Sequence, residues 1–189
     1  MGRGSEIVTV FGSASPLPDS PAYNLAFELG AALARAQLTV CNGGYGGTME
    51  AGARGAKSAG GATIGIITDF YPKKQANEWI DTVFRTADAP ERLLSLVRTG
   101  NAFVVLPGGT GTLLELAAVW EFMNKGIIGP RPVVLLGGFW NRLVEGVRSH
   151  LLLEGRADAS RLIQVAESCE ECVAMITQTL RGGIHGSGT

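Results

Sequence analysis

Residues 102–115, AFVVLPGGTGTLLE, constrain the fold of this chain more than any other stretch. A continuous apolar run of strand length is stopped by Pro107, passes through a turn with glycine at 108, 109 and 111, and opens into a helix near Thr112. Glycines let a backbone approach an anion without side chains in the way. The first unpaired N–H groups of the helix, at the positive end of its dipole, would point into that turn. A plainer reading exists, because Thr112 and Glu115 also spell a capping box, which says only that a helix starts there. Three glycines in four positions exceed what a simple strand-to-helix turn needs, and they favour anion binding.

A second turn repeats the pattern. Residues 38–41 (LTVC) read as a short strand, 42–47 (NGGYGG) as a turn and 48–58 as a helix carrying Gly52 and Gly55. Neither turn is a dinucleotide fingerprint, since the third glycine of G-x-G-x-x-G would fall on Met49 or Leu114, and no Gly-Lys-Ser/Thr ending of the Walker type occurs. NAD and ATP are therefore poor first guesses. Two such loops suit two parts of one ligand, or one ligand and one structural crossing.

Strands alternate with helices along the chain, and no linker is long enough to divide it. Residues 7–11 read as the first strand, followed by a Gly-Ser-Pro-rich loop and an amphipathic helix at 21–36 with Leu25, Leu29 and Leu33 on its apolar stripe. Further strands are expected at 63–67, 82–85, 102–106, 132–136 and 162–165, and further helices at 90–99, 112–124, 141–153 and 170–180. This order implies an α/β domain of about seven mainly parallel strands with right-handed crossovers and helices on both faces. Runs such as FVVL and VVLL agree with strands buried on both sides. The domain is expected to span residues 6–181, with a flexible N-terminus at 1–5 and a disordered tail at 182–189. In such sheets ligands bind beyond the carboxyl ends of the strands, where strand order reverses. Gly12 and Ser13 after the first strand, Gly44, Gly46 and Gly47 after the second, and Gly108 to Thr112 are thereby expected to meet at one edge.

Composition narrows the function. The chain has 189 residues, 46% of them hydrophobic, enough to bury a full core. With 16 Lys plus Arg against 17 Asp plus Glu and no basic run, duplex nucleic acid is not an expected partner. No apolar stretch reaches membrane-spanning length and the N-terminus lacks the apolar core of a signal peptide, so a cytoplasmic protein with no membrane partner is expected. Cys41 ends a buried strand and reads as packing. Cys169 and Cys172 form a C-x-x-C near the start of the last helix, a position that can lower a thiol pKa. A zinc site needs two more ligands, His150 and His185 offer no fitting spacing, and no metal is expected. His150 reads as a surface residue.

The motifs PGGTGTLLE, ERLLSLVRTGNAFVVL, YNLAFELG, NGGYGGTMEA and GGATIGII resemble, over roughly residues 6–180, the LONELY GUY family of cytokinin-activating nucleoside 5′-monophosphate phosphoribohydrolases, long mislabelled lysine decarboxylases. The resemblance implies a Rossmann-like fold, usually a homodimer, no cofactor, and cleavage of an N-glycosidic bond to free base and ribose 5-phosphate. By position, it assigns phosphate binding to Gly108, Gly109, Thr110, Gly111 and Thr112, and catalysis to Glu115 and Arg92. Leu93, Ala89 and Glu50 stand where the family usually has lysine, methionine and glycine. Relatives with the Y-G-G-x-M-E-A form of the second turn include molybdenum-cofactor carrier-like proteins that bind without cleaving.

The chemistry can be reasoned from the residues as well. Breaking a ribose–base bond builds positive charge on C1′ and the ring oxygen, so a carboxylate beside the ribose lowers the barrier and positions water. Glu115, about one turn into the helix and roughly 5 Å along its axis from the phosphate turn, is the candidate. Arg92 is suited to orient a hydroxyl, a phosphate oxygen or the leaving base; its plainer alternative is an exposed ion pair with Glu91. The leading expectation is hydrolysis of a purine nucleoside 5′-monophosphate, N6-substituted adenosine included. The rival is a non-catalytic carrier of a phosphorylated nucleotide or pterin. Lysine decarboxylation is the weakest reading, because Lys57, Lys73, Lys74 and Lys125 all fall in polar settings unsuited to a buried Schiff base. The helix at 112–124 is apolar over much of its circumference, which fits burial, a subunit interface or a base pocket, with Leu93, Trp120 and Met123 as pocket candidates.

Overall fold

A computed structural model describes residues 5–71 and 75–182. Apart from Ser5 and Gly182, the terminal segments expected to be flexible lie outside the described residues, as do Lys73, Lys74 and His185. Strands β1 (Ile7–Phe11), β2 (Thr39–Asn42), β3 (Thr63–Thr68), β4 (Thr82–Thr86), β5 (Ala102–Val105), β6 (Val133–Leu136) and β7 (Ile163–Ala166) alternate with helices along the chain. The helices are α1 (Pro21–Arg35), α2 (Thr48–Ser58), α3 (Ala89–Thr99), α4 (Thr110–Asn124), α5 (Asn141–Leu153), the short α6 (Ala157–Ser160) and α7 (Cys169–Gly182). All seven strands are parallel in the order β4-β3-β2-β1-β5-β6-β7. Strand order therefore reverses between β1 and β5, and the Leu106 N–H ties the end of β5 to the Phe11 carbonyl at 2.9 Å. This is the Rossmann-like, doubly wound architecture.

Alternation along the strands sends side chains to two cores. Val8, Val10, Val104 and Val134 pack with α1, α2 and α7 on one face. Phe103, Val105, Val133 and Leu135 pack with α3, α4 and α5 on the other. The glycines of α2 belong to the structural crossing: a β-carbon on Gly30 of α1 would come 2.0 Å from the Gly52 carbonyl oxygen, and one on Gly55 2.0 Å from that of Phe27. Side chains at these points would hold the two helices apart.

Sequence and structure differ at the start of α4. The helix begins at Thr110 with Gly109 as its N-cap, so Thr112 and Glu115 form no capping box. Thr112 is instead buried inside the first turn, its hydroxyl packed so closely on Gly108 that a β-carbon there would lie 2.2 Å from Oγ1. A side-chain cap does form two elements earlier: Asp88, the N-cap of α3, accepts from the Glu91 N–H at 2.7 Å, and Glu91 reaches back to accept from the Ala87 N–H at 2.7 Å. That use of Glu91 replaces the ion pair with Arg92 considered from sequence.

Cys41 is buried as its strand position implied, whereas the C-x-x-C departs from what its helix position could do. Cys169 and Cys172 are buried against α1 and the sheet, and burial raises both thiols, to about 11 and about 12, rather than lowering them. Cys41 is fully buried and likewise raised to about 12.

Candidate functional site

A cavity of about 330 Å³ opens at the β1/β5 switch point, lined by Gly12, Ser13 and Ala14 after β1, Tyr45 and Met49 around the start of α2, Tyr71 after β3, Arg92 of α3, and Gly109 to Thr112 and Glu115 of α4. Its size suits a small ligand.

The floor is the N-terminus of α4. The first intrahelical bond of this helix runs from the Leu113 N–H to the Gly109 carbonyl at 3.0 Å, so the N–H groups of Thr110, Gly111 and Thr112 have no partner within the helix. No side chain caps them. β-Carbons at Gly109 and Gly111 would meet open space, which leaves the approach to these amides clear. Ser13 stands opposite, its Oγ accepting from the Ser15 N–H at 3.1 Å and its own proton free to donate.

Glu115 sits three and four residues beyond Thr112 and Gly111 and thus on the same helix face, about 7.5 Å along the axis from Thr110. The missing side chain at Gly111 keeps its line to the cavity open. Half-buried by area but enclosed by protein on most sides, its carboxyl is raised by burial to about 7, with the Arg92 charge opposing that rise.

Arg92 is held from three directions. Its Nε donates to the Ile66 carbonyl at 2.7 Å, its Nη2 donates to the Gly43 carbonyl at 3.0 Å, and the guanidinium lies 5.3 Å from the Tyr45 ring centroid. These bonds use two of its five donors, and Arg92 lines the cavity together with the start of α4 and Glu115.

The structure brings together Gly12, Ser13, Gly109, Thr110, Gly111, Thr112, Glu115 and Arg92 among the residues singled out from sequence. Gly108 lies behind the lining, against Thr112. The glycines of the second turn do not line this cavity. Gly47, at φ +67°, packs on the backbone of Ser13 and Ala14, and Gly44, at φ +74°, on Ile67 and Gly65; these are close approaches of chain to chain. Thr48 completes the junction, its N–H and Oγ1 both donating to the Ser13 carbonyl, at 2.9 and 3.0 Å. Gly46 borders a neighbouring hollow with Gln75 and Asn77.

Leu93, Trp120 and Met123 do not line the cavity: Leu93 packs on the core beneath the sheet, and Trp120 and Met123 are buried, the indole donating to the Ala159 carbonyl at 2.8 Å. Glu50, the departure in the second turn, accepts from the Tyr23 hydroxyl at 3.1 Å. Tyr45, Met49 and Tyr71 were not anticipated as lining residues. The tyrosine inside NGGYGG was the available signal, since a large ring in a glycine turn needs a place to go.

Lys57 pairs with Asp81 at 2.7 Å and Lys125 with Glu121 at 3.7 Å, so neither is a buried Schiff-base lysine. No group of three or more metal-ligating side chains occurs among the described residues. No helix among them is long and apolar enough to cross a membrane.

Fold and cavity together define a Rossmann-like α/β protein with a cavity of small-molecule size at the switch point of its sheet. The chain belongs to the SLOG cluster4 family, whose model matches residues 5–173, and several of its curated relatives are named cytokinin riboside 5′-monophosphate phosphoribohydrolase, in keeping with the resemblance of its motifs. It is 34% identical over 152 residues to a cytokinin riboside 5′-monophosphate phosphoribohydrolase of Mycobacterium tuberculosis, covering 78% of each chain. Among solved structures it is similar to the molybdenum cofactor carrier protein of Chlamydomonas reinhardtii, with a TM-score of 0.69, 26% identity, and 94% of this chain and 99% of that one covered. The molybdenum cofactor binding protein of Rippkaea orientalis shares the fold, with a TM-score of 0.73 at 24% identity over 93% and 98% of the two chains.

Proposed function

We propose that this protein hydrolyses the N-glycosidic bond of a purine nucleoside 5′-monophosphate, releasing free base and ribose 5-phosphate. The observation that carries the reading is that Glu115 lines the same cavity as the Thr110, Gly111 and Thr112 residues whose N–H groups have no partner within α4.

In this reading the 5′-phosphate docks on the Thr110, Gly111 and Thr112 amides, where the helix dipole favours an anion. The ribose then extends toward Glu115. Ionised Glu115 takes a proton from water as the oxygen attacks C1′, while its charge stabilises the oxocarbenium-like ribose and the C1′–N bond pair leaves with the base. A carboxyl with a pKa of about 7 is well matched to act as a base at neutral pH. Arg92 offsets the negative charge that phosphate and carboxylate place in one cavity. Substrates bearing N6 substituents and a homodimeric state belong to the same proposal.

A second reading is supported by the carrier protein of similar fold: retention of a phosphorylated nucleotide or pterin without cleavage. The two are separated by incubating pure protein with AMP and with N6-isopentenyladenosine monophosphate and resolving free base by chromatography. Base release that falls by two to four orders of magnitude in Glu115→Ala supports hydrolysis. Thermal stabilisation by these nucleotides with no base released supports the carrier.

A further inference from the structure

Asn42, the last residue of β2, is a polar side chain only 1% exposed, and it does not line the cavity. Its amide is satisfied at both ends. Oδ1 accepts from the Gly44 N–H at 2.8 Å and Nδ2 donates to the Met49 carbonyl at 2.9 Å, so the side chain spans the NGGYGG turn from the strand end to the first turn of α2. The Gly44 N–H shares one planar peptide unit with the Gly43 carbonyl, and across a trans bond the two point in opposite directions. Asn42 therefore holds one edge of this plane, and Arg92 Nη2 donates to the other at 3.0 Å. The second acceptor of Arg92, the Ile66 carbonyl, belongs to β3 and is fixed by the sheet. The Gly43 carbonyl lies past the end of β2, where no ladder bond fixes it. With glycine on both sides, and Gly44 at φ +74°, this peptide has little conformational preference of its own.

We infer that Asn42 is a positioning residue for the site: its side chain fixes the 43–44 peptide with the carbonyl toward Arg92, and so sets where the guanidinium lies at the switch-point cavity. The consequence for turnover rests on the hydrolase reading above; the positioning itself rests on the hydrogen bonds alone. Both arms of the amide are needed for it. The bond to Gly44 orients the peptide, and the bond to Met49 keeps the amide from rotating about its own side-chain torsions. A turned peptide would present an N–H to Arg92 in place of an acceptor, and the guanidinium would keep only its bond to Ile66.

The test reads the place of Arg92 through Glu115, whose carboxyl is raised by burial and lowered by the Arg92 charge. That carboxyl is titrated by carbon-detected NMR in the full-length protein, in Asn42→Ala, Asn42→Ser and Arg92→Ala, and in the double variant Asn42→Ala/Arg92→Ala. Arg92→Ala is expected to move the midpoint up by about one unit, Asn42→Ala to move it as far, and the double variant no further. Asn42→Ser, whose shorter hydroxyl accepts from the same N–H more weakly, is expected to fall between wild type and Arg92→Ala, and it serves where Asn42→Ala does not fold. A merely structural role would lower the melting temperature and leave the midpoint of the folded protein in place; a wild-type midpoint in either Asn42 variant overturns the inference. Base release from AMP is followed on the same proteins, and kcat/KM is expected to fall in Asn42→Ala as far as in Arg92→Ala. If the wild type releases no base, the hydrolase reading fails and the titration still decides the role of Asn42. If the wild type releases base and Asn42→Ala keeps both its midpoint and its kcat/KM, the positioning role fails and the hydrolase reading stands.

Discussion

Arg92 Nη2 donates to the Gly43 carbonyl at 3.0 Å, and a β-carbon on Gly43 would lie only 1.7 Å from that same nitrogen. The glycine that opens the second turn is thus the seat of the arginine. Substituting it pushes the guanidinium off the Ile66 and Gly43 carbonyls before any backbone need move.

Gly43→Ala is therefore expected to lower kcat/KM as far as Arg92→Ala does, with a stability cost of about 1–3 kcal/mol from the crowding of Arg92 and Met49. The double variant should be no worse than either single one, because both remove the same interaction. Steady-state kinetics on the three proteins checks this, and additive losses would show that Gly43 acts on something else.

Glu115 makes stability depend on pH in an unusual direction. Its folded-state pKa is about 7 against an ordinary 4.5, so between those values the folded chain holds a proton that the unfolded chain has released. Stability from this group is accordingly full below pH 4.5 and lost as pH rises toward 7. Glu115→Gln removes the cost. At pH 8 it should exceed the wild type by about 1–3 kcal/mol in urea unfolding, and the gain should vanish below pH 4.5. A gain independent of pH would mean that the carboxyl is not held near 7.

The same group sets the expected pH–rate profile. Acting as a base, Glu115 must be ionised in the free enzyme, so kcat/KM should rise with pH and level off above about 7. Arg92→Ala removes the charge that opposes the rise, and the ascending limb should move to higher pH. A profile flat from about pH 6 to 8 would assign the proton transfer to another group.

At the α1–α2 crossing, Gly55→Ala places a methyl 2.0 Å from the Phe27 carbonyl oxygen, which cannot swing aside as a side chain can. Denaturant unfolding should show a loss of about 1–3 kcal/mol or more. Gly52→Ala, whose new methyl would sit at an ordinary 3.6 Å from the Ala26 carbonyl oxygen, should be far milder. Equal effects would contradict the close-approach explanation.

The alternation of strands and helices was legible because the central strands β5 and β6 are continuous apolar runs, the others are short segments rich in β-branched residues, and glycine, proline or polar residues separate them from the helices; element ends differ by one or two residues at most positions. Where expectation missed, a local signal competed with a tertiary one. Thr112 and Glu115 match a capping box in spacing, but Gly109 caps the helix without a side chain and Thr112 turns onto Gly108. The C-x-x-C sits at a helix start, yet packing against α1 raises the thiols that the helix end alone would lower. Glycine in the second turn announces a close approach without saying to what, and here the partners are the β1 loop and Arg92. Tyr71 lies in an irregular loop whose path depends on contacts far apart in sequence, and no local pattern pointed to it.

The central claim is that a phosphate rests on the amides at the start of α4 with a sugar facing Glu115. A crystal structure of Glu115→Gln grown with AMP measures this directly. The account predicts phosphate oxygens within hydrogen-bonding distance of the Thr110, Gly111 and Thr112 amides and C1′ beside the residue 115 side chain. Nucleotide bound elsewhere, or bound here with its base at the amides and its phosphate in solvent, would contradict it.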